Sequence, residues 1–132
     1  MVEKSQVPGI TRRLLSLMAV AWVHTATGWT AQTNNYYVDA NSVSPQSPYT
    51  NSDHAATGIV EAVCQAEADW NPGTHFLVLV NDGTYHLTNQ ITITKSIILR
   101  SVNGQSNTFI NGNYPAATNR CVEITGNATF EG

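Results

Sequence analysis

At 132 residues the chain has room for one small domain. Its six basic and nine acidic residues give a net charge of −3. The first 28 residues hold three of the basic side chains and one acidic one, which leaves the remainder near −5. An acidic chain with scattered cations has no basic patch to displace counterions, which argues against nucleic acid or an anionic membrane as partner.

Residues 1–28 read as a signal peptide: Lys4, Arg12 and Arg13 precede an apolar run from Leu14 to Val23, and the small residues Ala26 and Gly28 then suit cleavage before Trp29. The apolar run is about half the roughly 20 residues that span a bilayer, so an uncleaved anchor is the weaker alternative and no stable membrane insertion is expected after cleavage. Thr11-Arg-Arg-Leu-Leu also fits a twin-arginine signal.

Residues 29–52 form a polar lead-in with one short strand, Tyr36-Tyr-Val-Asp-Ala, followed by a loop whose prolines and hydroxyl side chains favour turns. From residue 53 the apolar positions Ala55, Ala56, Ile59, Val60, Ala62, Val63, Cys64 and Ala66 predict one amphipathic helix, with Asp53 or Thr57 as N-cap, ending near Trp70 before Asn71-Pro-Gly. Short apolar runs follow at nearly even spacing: Phe76–Val80, Ile91–Thr94, Ile97–Leu99, Thr108–Ile110 and Val122–Ile124, each closed by Gly, Asn or Asp. Val122 and Ile124 are predicted to face the core with Glu123 outward, whereas Ile97-Ile-Leu suggests a strand packed on both faces.

Asn107-Thr-Phe-Ile-Asn-Gly112 recurs as Asn127-Ala-Thr-Phe-Glu-Gly132, twenty positions later. Steps of about 20 to 25 residues are those of a solenoid, with Leu77, Ile98 and Val122 expected to stack. A small β-sandwich is the rival, and it would pair the same runs antiparallel. Coils bury their apolar faces only against one another, and about three are needed for stability. With about two visible before Gly132, the expectation is the N-terminal part of a longer solenoid, in which residues 53–132 supply the cap helix and the first coils.

Cys64 falls on the predicted helix and Cys121 at the start of a predicted strand. After export a disulfide between them would persist and tie the cap to a later coil; two buried small hydrophobes is the other reading. Without Cys-x-x-Cys or a neighbouring His, no zinc site is expected.

Several of these segments, in order, carry a family resemblance: Tyr36-Tyr-Val-Asp-Ala, Ala55-Ala-Thr with Ala62-Val-Cys, Val78-Leu-Val-Asn-Asp-Gly-Thr-Tyr85, Ile91-Thr-Ile-Thr-Lys-Ser-Ile, Arg100-Ser-Val-Asn-Gly, Arg120-Cys-Val and Asn127-Ala-Thr-Phe-Glu-Gly. Across residues 36–132 the chain resembles secreted bacterial proteins of the pectin lyase-like superfamily, in particular the choice-of-anchor Q proteins. The resemblance implies an all-β fold, a right-handed parallel β-helix with an N-terminal cap helix and about two coils, in an exported protein of the cell surface or medium. It also implies a glycan-binding or scaffold role with polysaccharide as partner. The alternative is a pectate lyase-like polysaccharide lyase, or a glycoside hydrolase, whose catalytic coils lie downstream. In the lyases the calcium-binding carboxylates and catalytic arginine lie on middle coils, beyond the matched part. No catalytic, metal or cofactor residue is therefore carried over, and calcium is implied only for a longer chain.

β-Elimination needs a base at the sugar C5 proton and a cation for the uronate. Asp82, Arg100 and Arg120 are the loose candidates, against a reading of all three as solvated turn or outer-face residues. His24, His54, His75 and His86 lack ligand spacing. Trp29, Tyr36, Tyr37, Tyr49 and Trp70 either form a sugar-stacking platform or seal the cap. Asn103 and Asn111 are candidates for side-chain ladders, and Asn127-Ala-Thr129 matches an N-glycosylation acceptor.

Overall fold

The computed structural model describes residues 31–112, 115 and 120–132, so the predicted signal peptide, with His24 and Trp29, lies outside the described residues. In chain order the elements are β1 (Gln32–Val38), a 3-10 turn (Ser52–His54), α1 (Ile59–Ala68), β2 (Thr74–Val80), β3 (Gly83–His86), β4 (Ile91–Ile93), β5 (Ile97–Ser101), β6 (Thr108–Asn111), β7 (Val122–Ile124) and β8 (Thr129–Glu131). Among the regular elements of the described chain, strand thus predominates over helix. Its strands form three sheets, ordered β1-β2-β5-β8, β3-β6 and β4-β7. All five strand pairs are parallel, which excludes the antiparallel sandwich.

From β2 onward the chain visits the three sheets in rotation, and each return adds a strand beside its predecessor. Phe76 lies against Ile97, 21 positions on; Gly83 against Thr108, 25 on; Ile91 against Val122, 31 on; and Ile98 against Thr129, again 31 on. These registers overturn the twenty-residue repeat. Thr108–Asn111 is β6 of the second sheet, whereas Thr129–Glu131 is β8 of the first. The Asn and Gly that make the two segments alike belong to the turns beside them, and turns in general select those residues. The expected stack of Leu77, Ile98 and Val122 holds for the first two, which are direct partners, while Val122 pairs with Ile91 in the third sheet.

Alternation along each strand decides what is buried. Phe76, Val78 and Val80 on β2, Ile97 and Leu99 on β5, Tyr85 on β3, and Ile91 and Ile93 on β4 all enter one core. Leu77, Leu79 and Ile98 lie between them on the outer face and are half-buried. The Ile97-Ile-Leu run therefore alternates in space although its letters do not. Each fully buried aliphatic side chain contributes about 1.5–3 kcal/mol. Within the expected lead-in, the short strand is β1, registered on β2 over seven positions, from Gln32 on Thr74 to Val38 on Val80.

The helix begins later than its apolar stripe suggests. Ala55 and Ala56 are taken up beside β1, where the Ala56 N–H donates to the Tyr37 carbonyl at 2.9 Å and its carbonyl accepts from the Asp39 N–H at 2.8 Å. Helical backbone starts only after Gly58, the N-cap, so neither Asp53 nor Thr57 caps it. Ile59, Ala62, Val63 and Ala66 turn inward against β1, β2 and β4. At the other end Glu67 reaches across to the turn between β4 and β5. Its carboxylate accepts from the Thr94 N–H, from the Lys95 N–H at 3.2 Å and from the Thr94 hydroxyl at 3.2 Å. Against the same turn packs Gly126, because the Thr125 N–H donates to the Ile93 carbonyl at 2.9 Å. A Cβ at position 126 would collide with the Thr94 carbonyl and lie 2.9 Å from the Lys95 nitrogen.

Tyr36 links β1 to the helix end. Its ring stacks on Phe76 with centroids 6.2 Å apart, and its hydroxyl donates to Asp69 Oδ2 at 2.9 Å. Burial, and then the neighbouring Asp69 carboxylate, push its pKa well above the ordinary value of 10.0. Burial chiefly raises Tyr85 as well. Above about pH 10 the unfolded chain loses these phenolic protons while the folded chain keeps them, so stability falls as pH rises. The limiting slope is about 1.4 kcal/mol per pH unit for each tyrosine so held. Urea midpoints measured between about pH 8 and about pH 11 should show this fall, and Tyr36→Phe should flatten it. An unchanged slope in the variant would refute the assignment.

Candidate functional site

The first corner, between sheets one and two, collects carboxylates and carboxamides. Asp39 accepts from the Asn41 N–H at 2.8 Å and from Asn81 Nδ2 at 3.1 Å. Asp82 accepts from Asn103 Nδ2 with both oxygens, at 3.0 and 3.1 Å. Each pair joins one pass of the chain to the next, so Asp82 is a turn residue held in place by its amide. Asn103 thus finds a carboxylate partner, and Asn111 lies a sheet away, in register with His86.

The other sequence candidates are dispersed. Arg100, on the outer face of β5, pairs through Nε with Glu131 of β8; the two side chains are 45% and 41% exposed, and such a pair contributes about 0–1 kcal/mol. Arg120 is exposed ahead of β7. Asp82, Arg100 and Arg120 therefore occupy a corner, a sheet face and a strand approach, and line no common cavity among the described residues. His54 Nδ1 is 3.0 Å from the Ser44 carbonyl, and His75 and His86 are exposed on β2 and β3. Among the described residues no three His, Cys, Asp or Glu side chains gather as a ligand set. No helix there is long and apolar enough to cross a membrane.

The aromatic residues divide. Tyr36 is buried, Tyr49 and Trp70 pack half-buried on the core, and Tyr37 is half-buried on β1. Lys95 Nζ sits 5.5 Å from the Trp70 ring centre, where a sugar would otherwise stack. Sealing the core accounts for Tyr36, Tyr49 and Trp70.

Cys64 and Cys121 are both free and exposed, so neither is a buried hydrophobe. On α1 the inward stripe is Ile59, Ala62, Val63 and Ala66, which leaves Cys64 turned away from the core. Cys121 lies on the rim of an apolar cavity.

That cavity, about 330 Å³, opens where β6, β7 and β8 carry no further strand among the described residues; Leu99, Ile110, Val122 and Phe130 line it. Phe130 and Ile124 are 47% and 43% exposed here although their partners Leu99 and Ile93 are buried. A second hollow, about 220 Å³, is polar and lies between the first turn of α1 and the chain from β3 towards β4. Thr57, Gly58 and Glu61 form one wall, and Thr84, His86, Thr88 and Asn89 the other. Of these residues the sequence singles out His86, only as a histidine without ligand spacing, and Thr57, only as a candidate N-cap. The remainder lack a local signal because the hollow exists only once β3 is folded against the helix start.

No protein family, curated protein or solved structure matches the chain.

Proposed function

We propose that the chain folds as a helix-capped, right-handed parallel β-helix that serves as an exported, glycan-binding surface scaffold. The observation that carries this reading is the rotation of the chain through three parallel sheets, with Leu77 against Ile98, Tyr85 against Ile110 and Ile91 against Val122. Two full passes, β2 to β4 and β5 to β7, stack their inward rows on one core. Parallel crossovers between neighbouring strands are right-handed in about 98% of cases, which supplies the hand. The helix α1 covers the β1, β2 and β4 end, as a cap must.

Export is supported by the basic, apolar and small-residue order of residues 1–28. An acidic surface that offers hydroxyl, amide and carboxylate groups suits a hydroxylated partner better than a polyanion. The test is retention of the chain on immobilised polysaccharides, neutral and acidic, together with incubation on polygalacturonate with and without calcium, followed by the absorbance of unsaturated product. Retention without turnover is expected. Turnover would replace the scaffold by a lyase, and passage through every polysaccharide matrix would overturn glycan binding.

A further inference from the structure

We propose that the polar hollow between the start of α1 and the β3–β4 connection binds one neutral sugar unit, with Glu61 and His86 as its polar anchors. The proposal rests on the glycan reading above and gives it a place and a ligand chemistry.

The argument begins at the helix start. Gly58 provides no side-chain cap, and Glu61, three residues on, folds back over it: a Cβ at position 58 would collide with Glu61 Oε2 and sit 3.0 Å from its Cδ. The carboxylate therefore stands at the positive end of the helix and answers it from within the chain. An incoming anion finds that field already used and meets a negative charge instead. No lysine or arginine lines the hollow to offset this.

What lines it are groups that both donate and accept. Thr57, Thr84 and Thr88 bring hydroxyls, Asn89 a carboxamide and His86 an imidazole, and the Glu61 carboxylate accepts. A ring bearing several hydroxyls, each a donor and an acceptor at once, matches such a set. The carboxylate of a uronate or the phosphate of an ester, which carries negative charge toward Glu61 with no cation beside it, does not. Scale agrees: about 220 Å³ is below the roughly 300–1,000 Å³ of drug-sized sites, which suits a single ring and not a run of sugars. A single ring of this kind is the end or branch of a longer glycan.

The experiment uses the full chain, isotopically labelled, and follows backbone amide shifts while methyl glycosides of neutral hexoses and, separately, galacturonate are added. Shifts confined to residues 57–61 and 84–89 with a neutral hexoside, and none with galacturonate, are expected. Glu61→Ala and His86→Ala should each weaken that binding roughly tenfold through one or two lost hydrogen bonds. Because Glu61→Ala also alters the helix start, His86→Ala, which leaves α1 untouched, serves as the second variant, with the urea midpoint of each checked. Galacturonate binding as tightly as the hexosides, or unchanged affinity in both variants, would overturn the site. Retention of the chain on polysaccharide with shifts elsewhere would sink this placement while sparing the glycan reading; failure of retention would sink both.

Discussion

Phe76→Ala should cost the folded chain about 3–5 kcal/mol, while Leu77→Ala, one position along, should cost about 1 kcal/mol. The contrast follows from the pleat. Phe76 is 1% exposed, faces inward, and stacks on Tyr36 beneath the helix, so its removal opens a cavity with rigid walls. Its loss also deprives Tyr36 of the ring that holds the phenol against Asp69. Leu77 points outward between Asn35 and Ile98 and is half-exposed already, so truncation removes contact without leaving a void. Urea denaturation of the two variants measures both numbers. Equal costs would mean that β2 is registered one residue away from where the structure has it, since a slip of one exchanges the faces.

Gly126→Ala should destabilise by about 3 kcal/mol, at the upper end of what overpacking does. A methyl there meets the main chain of Thr94 and Lys95, which cannot rotate away as a side chain would. Moving that turn also disturbs the N–H groups that Glu67 accepts from, so the damage spreads to the end of α1. Two comparisons isolate the cause. Asn127→Ala, at an exposed neighbouring position, should stay within about 0.5 kcal/mol. Glu67→Ala combined with Gly126→Ala should cost less than the sum of the two singly, because both act on one turn. Additive costs from thermal or urea unfolding would show that the two contacts are independent.

Much of this architecture is legible in the letters. The helix stripe is visible because four inward positions recur at helical spacing, and most of the strands are visible because short apolar runs are broken by turns rich in Asn, Asp and Gly. Val122 and Ile124, read as core residues with Glu123 outward, do sit opposite the buried Ile91 and Ile93, but Val122 and Glu123 are only half-buried and Ile124 is 43% exposed, because no further strand covers them among the described residues. Register is not legible. The true return distance changes from sheet to sheet, so a fixed twenty-residue step pairs Asn107 with Asn127 on turn chemistry alone and joins β6 to β8 across two different sheets. The start of the helix is also hidden, since Ala55 and Ala56 have helical letters but Ala55 closes the 3-10 turn and Ala56 bonds to the edge of β1. The polar hollow is hidden for a related reason: Glu61 and His86 are brought near only by the path from the helix through β2 and β3. Cys64, read as part of the apolar stripe, is outward because the stripe is narrower than its letters suggest.

The changing return distances carry a practical meaning. Between one pass and the next the chain gains four residues on its way from the first sheet to the second and six more on its way to the third, since the offsets rise from 21 to 25 to 31. On the way back to the first sheet it gains none, the offset remaining 31. The corner where Gly126 lies on Thr94 and Lys95 is thus a fixed hinge post, closed to added sequence, whereas the other two corners have already absorbed it without loss of strand pairing. Foreign peptides, whether acquired in evolution or spliced in by hand, belong at those two corners, where the molecule can be given new surface while its stack of strands stays in step.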